Sequence, residues 1–356
     1  MSDCVIQHGL PRAHRHGRSA RDLAVTCTCW LVVAACGQAT WADDTVMVAR
    51  ENEEAPAART GTIVDYTGEA LTLEIAGGRQ EKIPANRIVA WETTRVPEQI
   101  EADQSFQEGR FADAVVGYQR AIEKEKRTWL RRWILANMID CYRNMEQFDR
   151  AGDRFLALLR NDPTAVRFDV IPLAWKARQP SPEVARQAAT WLADDKSPAA
   201  QLLGASWLLS TNQRDEALDK LKQLASCPDR RIAQLAGAQR WRAELVTANR
   251  AEVANWEQQF QQIDPTLQSG PAFVLGTALS RLGEPAQAAL YFLRSPILYP
   301  ADRDLAAESL MAAGEQLEKA NDQAGARSVY RELIDHYQQH ALAPVAEQRL
   351  EQLPPK

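Results

Sequence analysis

Apolar residues recur along this chain with two different periods. Between residues 45 and 93 they alternate with polar ones, as half-buried strands require, in five short runs at 45–50, 60–66, 70–75, 80–83 and 87–91. Turn residues separate the runs: Thr67-Gly68-Glu69, Ala76-Gly77-Gly78 and Pro84-Ala85-Asn86. Residues 51–58, acidic and alanine-rich, read as a longer loop between the first two strands. Beyond residue 97 the apolar positions follow a helical period. Pro97, Pro182 and Pro198 stand where a proline opens a helix, since its missing N–H is not needed in the first turn. The pattern predicts a mainly α fold, with a small five-stranded β unit ahead of the helices.

The helices are expected in pairs. In residues 270–300, GPAFVLGTALSRLGEPAQAALYFLRSPILYP, Leu275 and Gly276 sit together and Leu279 follows on the same helical face. Gly283 makes the turn, Ala288 and Phe292 line the second helix, and Pro300 ends it. This stretch resembles the 34-residue tetratricopeptide repeat. The resemblance implies a right-handed α-solenoid, because one such hairpin cannot bury its apolar face alone and neighbours must stack on it. Further units carry Ala102, Gly109, Phe111, Ala114, Tyr118 and Ala121, then Leu135, Tyr142, Phe148, Ala151, Phe155 and Pro163, with Ile139 where the repeat has a small residue. A last unit at 304–337 carries Gly314, Leu317, Ala326, Tyr330 and Leu333. The closing phrase is similar to the ends of periplasmic repeat proteins associated with outer-membrane assembly and the Tol-Pal system, which makes 344–353 a capping helix. Between 163 and 264 the resemblance weakens while the helical period persists: a helix at 182–192, a hairpin 198–209 with 215–225 that keeps Ala205, Leu208, Ala217 and Leu221, and another, 231–246 with 251–263, that lacks the repeat's glycine. The strand region, through GTIVDYTGEALTLEIAGGRQEKIPANRIV, is similar to small SH3-like barrels that precede helical repeats in exported bacterial proteins. Such a barrel either caps the apolar end of the solenoid or binds a cell-wall glycan, a small ligand or a peptide.

The first 42 residues follow neither period. Arg12, Arg15, Arg18 and Arg21 form a positive segment, residues 23–36 are apolar apart from two threonines, and small residues follow to Ala42. That is the layout of an export signal, and its apolar run is shorter than the roughly 20 residues of a membrane span. Two processing outcomes are open: cleavage after Ala42, or lipidation at Cys36, since Val33-Ala34-Ala35-Cys36 resembles a bacterial lipobox. A disordered basic tail is the remaining alternative. The expected location is the periplasm or cell envelope, with membrane contact only through a lipid anchor. The expected organisation is a signal at 1–42, the barrel at 43–93, hairpins at 94–163, degenerate helical repeats at 164–264, and C-terminal repeats with a cap at 265–356.

Removing the signal changes the charge. It holds four of the 42 basic residues but two of the 47 acidic ones, so the remainder is more acidic than the overall −5. An acidic body argues against nucleic acid as partner. Cys141 and Cys227 are the two cysteines beyond the signal, and their spacing demands no disulfide.

Candidate chemistry is sparse. His336 and His340 are one helical turn apart beside Asp335, which suits metal ligation, but no third imidazole or thiol is near in sequence and a polar helix face explains them better. The chain has no Gly-x-Ser-x-Gly elbow, phosphate-cradling glycine loop or Cys-x-x-Cys pair. The expectation is a non-enzymatic scaffold with no cofactor and no metal. Lys124, Lys126, Arg127, Arg131 and Arg132 cluster around Trp129 and Trp133, either as a patch for an acidic partner or as a solvated face over buried tryptophans. By the repeat's geometry the inner groove is lined by Gln99, Asp103 and Phe106, then Trp133, Asp140, Arg143 and Asn144, then Phe273, Thr277, Ser280 and Arg281. These mixed aromatic, amide and charged residues suit a segment of another envelope protein. The alternative is that the chain's own middle segment fills the groove.

Overall fold

The computed structural model of the protein describes residues 6–7, 44–50 and 55–354. Both processing sites, Cys36 included, lie outside the described residues, as does the export signal apart from Ile6 and Gln7.

The strands are β1 (Ile6–Gln7), β2 (Asp44–Val48), β3 (Ala57–Tyr66), β4 (Ala70–Ile75), β5 (Arg79–Pro84) and β6 (Ile88–Glu92). They form an antiparallel sheet in the order β1-β6-β2-β3-β4-β5. The five expected runs are β2 to β6; β1 adds two residues at the edge, opposite Trp91 and Ala90. Register shifts at Met47/Val48 and Ile63/Asp65 bend the ladder. The alternating pattern delivers Val46, Ile63, Leu71, Leu73, Ile83 and Trp91 to a common core. No ladder among the described residues joins β5 back to β1.

Helical hairpins follow. α1 (Pro97–Gln107) pairs with α2 (Phe111–Lys124), and α3 (Thr128–Asn144) with α4 (Phe148–Asn161). The middle holds α5 (Pro182–Leu192), α6 (Pro198–Leu208), α7 (Arg214–Leu224), α8 (Arg230–Glu244) and α9 (Arg250–Phe260). The C-terminal part holds α10 (Ser269–Arg281), α11 (Pro285–Phe292), α12 (Arg294–Leu298), α13 (Arg303–Lys319), α14 (Gln323–His336) and α15 (Ala343–Gln352). None of these helices is long and apolar enough to cross a membrane.

Four of the hairpins share one turn. Gly109, Glu146, Gly283 and Asn321 all take a left-handed φ, between 58° and 76°, two residues before the second helix starts. In each, the next N–H reaches back five residues: Arg110 to Ser105, Gln147 to Tyr142, Glu284 to Leu279 and Asp322 to Leu317, at 2.8–3.0 Å. This is a Schellman closure, which satisfies the last carbonyls of the first helix and reverses the chain. No left-handed residue marks the α6–α7 and α8–α9 connections, so the middle hairpins are built differently.

Two segments depart from the expected pattern. The second helix of the 270–300 hairpin is broken into α11 and α12 at Leu293. Pro296 has no N–H for the carbonyl of Phe292, and its ring crowds that oxygen, so α11 stops there. Residues 162–181 hold no α-helix, only a 3-10 turn at Phe168–Val170. Pro163, Pro172 and Pro180 each remove a donor and bias the preceding residue to extended backbone.

Sheet and helices are bolted together through α3. Trp91 meets Trp129 and Trp133 edge-to-face, each at 5.0 Å between ring centroids. Trp129 Nε1 donates to Ile63 O at 3.0 Å, and Arg132 reaches Tyr66 O at 2.9 Å and the Asp65 carboxylate. Arg127 grips Glu125 and Thr93. Arg127 and Arg132 of the basic, tryptophan-rich cluster are thus spent on this junction. Both remaining cysteines are free thiols, with Cys141 buried.

Candidate interaction face of the helical array

The residues of α1 and α3 expected to line a groove are buried or half-buried and engaged. Gln99 is fully buried, and its amide finds no hydrogen-bond partner among the described residues. Asp103 accepts from Tyr118 Oη at 2.7 Å and Arg95 Nη1 at 2.8 Å. Burial pushes its carboxyl up, and these two donors only partly hold it back. Phe106 stacks edge-on against Phe111 at 5.4 Å. Asp140, 3% exposed, lies between Arg167 Nη2 at 2.8 Å and Arg143 Nη1 at 2.9 Å. Burial raises its proton affinity and the two guanidiniums pull against that. The Arg167 guanidinium also covers Trp133, 5.1 Å from its ring centre.

The end of α3 is tied to the start of α13. Arg143 reaches Asp302; Asn144 Nδ2 donates to Ala301 O at 3.1 Å, and Asn144 Oδ1 accepts from Arg303 N at 3.1 Å. Burial opposes the Arg143 charge, but Asp302 and Asp140 more than offset it, so the guanidinium stays charged.

A strap formed by residues 171–178 lies across helices of the array. Ala174 N donates to Ser206 Oγ at 2.9 Å, while Ala174 O accepts from Gln239 Nε2 at 3.0 Å and Arg242 Nη1 at 2.8 Å. Pro172 O accepts from Trp207 Nε1 at 2.9 Å. Trp175 packs so closely on Gly270 that a Cβ there would sit 1.9 Å from its ring. Lys176 Nζ bridges Asp304 at 3.0 Å and Glu308 at 2.9 Å. Segments of α6, α8, α10 and α13 thus hold an extended piece of the same chain, largely through its backbone. The sequence signal was a proline-flanked apolar run, Ile171-Pro172-Leu173-Ala174-Trp175, with no period of its own.

Asp304, Glu308 and His340 offer atoms within 4.8 Å of one another, a spacing a metal ion could use. Lys176 already puts its ammonium between the two carboxylates, and His340 Nε2 lies 3.3 Å from Asp304. A positive side chain holds the place of a cation, so the cluster is an ion-pair network. The sequence placed His336 beside His340; the fold brings Asp304 instead, while the carbonyl of His336 accepts from Arg303 Nη2 at 2.6 Å.

The α10 residues are the more accessible part. Phe273 is half-buried and meets Phe292 edge-on at 5.4 Å. Thr277 Oγ1 donates to Phe273 O at 2.8 Å, within its own helix. Ser280 is half-buried, and Arg281 is exposed with one donor on Val246 O at 2.8 Å.

No curated protein matches this chain. A family model described as "Tetratricopeptide repeat" matches residues 308–340, which run from within α13 through α14. The chain therefore carries a tetratricopeptide repeat in a mainly helical array behind a small antiparallel sheet.

Proposed function

We propose that the protein is an exported, non-enzymatic scaffold of the bacterial cell envelope that binds a segment of another envelope protein. The observation that carries this reading is the repeated hairpin: four turns of one geometry, the last of them inside the matched repeat. Stacked hairpins offer a long rigid surface, and partner binding is the use such surfaces are suited to. With the α3 half of the inner face engaged by Asp302 and Arg167, a partner segment meets Phe273, Thr277, Ser280 and Arg281 on α10. The arginine-rich signal and the apolar run ending at Cys36 support export, with cleavage after Ala42 or lipidation as the two routes.

Fractionation with intact-mass analysis, followed by crosslinking in the intact envelope, tests the proposal. A chain beginning at Asp43, or one lipidated at Cys36, crosslinked to a defined protein is the expected result. Phe273→Ala with Arg281→Glu should reduce that crosslink while leaving the melting temperature unchanged within a few degrees. An unprocessed cytoplasmic chain would overturn the envelope assignment; absence of any crosslinked protein would overturn the scaffold.

A further inference from the structure

A second surface lies on the other helices of the array. Between α4 and α5 is an open cleft of about 610 Å³. Its floor is apolar and aromatic: Trp191 of α5, Leu156 of α4 and Tyr142 at the end of α3. Its rim is basic, with Arg150, Arg154 and Arg160 all from α4. All three are exposed. Arg150 donates to the neutral amide of Gln147 at 3.1 Å, and among the described residues Arg154 and Arg160 have no hydrogen-bond or carboxylate partner. The floor is fixed. Gly152 lets α4 approach so near that a Cβ would come within 2.2 Å of the Trp191 ring, and Asp153 Oδ1 accepts from Trp191 Nε1 at 3.1 Å and Gln187 Nε2 at 2.9 Å. The one carboxylate of the cleft is thereby committed to holding its wall.

We infer that this cleft binds an acidic peptide segment of a partner protein, with carboxylates on the arginines and an apolar side chain against the half-buried Leu156 and Ala157. Charge complementarity selects the ligand class, because three guanidiniums face one carboxylate in a chain whose overall balance is negative. Spacing selects a chain over a free anion. Residues 150 to 160 span about 15 Å along α4, which one small anion cannot bridge but an extended peptide of about five residues can. Guanidinium groups also bind carboxylates well, through paired N–H donors. The inference rests on the scaffold reading and adds a site the inner face does not include.

The test uses the full chain and a fluorescein-labelled ten-residue peptide of alternating glutamate and leucine, followed by anisotropy. Binding should weaken at least tenfold in the Arg154→Glu/Arg160→Glu double variant, whose exposed positions leave the melting temperature in place. It should also weaken on raising the salt from 50 to 500 mM, and fail with the matching lysine–leucine peptide. Equal affinity in the variant, equal binding of the lysine peptide, or no binding of the acidic peptide overturns the inference. Arginine-dependent binding to anionic lipid vesicles but not to the peptide also overturns it, in favour of a membrane surface. In the envelope, no partner crosslinked to the unmodified chain removes the scaffold, whereas equal peptide affinity in the double variant removes the cleft alone, because a partner held on α10 would still crosslink.

Discussion

Glu146 holds a left-handed backbone, φ 58°, in a turn where Gly109 and Gly283 do the same with φ 76°. A side chain in that region costs roughly 1 kcal/mol, from Cβ against the following carbonyl. The Schellman bonds around it hold Glu146 there regardless. Its exposed ion pair with Arg178, 2.9 Å long, offsets little of that cost. Glu146→Gly should therefore raise the unfolding free energy by about 0.5–1 kcal/mol. Gly283 has no neighbouring atom within 4 Å of a built Cβ, so Gly283→Ala should lower it by about 1 kcal/mol through the backbone alone. Urea denaturation of both variants measures this; opposite signs are expected, and equal signs would mean that side-chain contacts rather than φ decide. Gly109 and Gly283 were legible as turns because glycine advertises the conformation. The left-handed φ of Glu146 was not legible, since glutamate carries no signature of such a turn.

At the scale of elements, the strap at 171–178 decides which faces of the helices are covered. Arg242 is central to it: 7% exposed, it donates to Ala174 O and Ser206 O, both at 2.8 Å, and to Gln239 Oε1 at 2.9 Å. Burial, with Arg214 adding repulsion, pulls its pKa down to about 10. Its charge is met by carbonyl dipoles rather than a carboxylate. Arg242→Met keeps much of the volume but leaves Ser206 O without this donor, and should cost about 2–3 kcal/mol. Limited trypsin digestion provides the local readout: cleavage after Lys176 and Arg178 should speed up more than cleavage within α13 and α14. Uniformly faster cleavage would mean that Arg242 supports the fold as a whole. The helices flanking the strap were legible to within a residue or two, because Pro182, Pro198 and the apolar period mark them. The strap was not, because a short apolar run among prolines has no period and its partners lie 32 to 132 positions away. The residues expected in the groove fall on α1, α3 and α10, but spacing within one hairpin says nothing of what another part of the chain lays across it.

On the scale of the whole molecule, closure of α3 and the strap onto α13 is polar, so pH acts on it. Burial would raise the Asp304 carboxyl, but the His340 hydrogen bond and the ammonium of Lys176, with Arg178 nearby, outweigh it and hold the group well below the usual carboxylate range. Burial also works against the Lys176 charge, and Asp304 with Glu308 restores it, so the cation persists through the acid range. A carboxyl lowered in the folded state contributes stability that is fully present above the unfolded value of about 3.9 and is lost as pH falls through the folded value. The contribution of Asp304 to the contact should thus be complete at pH 6 and diminish as pH falls below about 4. Amide hydrogen exchange over residues 171–178 and the first turn of α13 should accelerate there before exchange in α14 does. Asp304→Asn removes the titrating group and should flatten the fall in unfolding free energy below about pH 4 while lowering stability at pH 6. A variant with the same pH slope as the unmodified chain would show that acid acts elsewhere, and that the strap is fastened to α13 by packing around Leu305 rather than by charge.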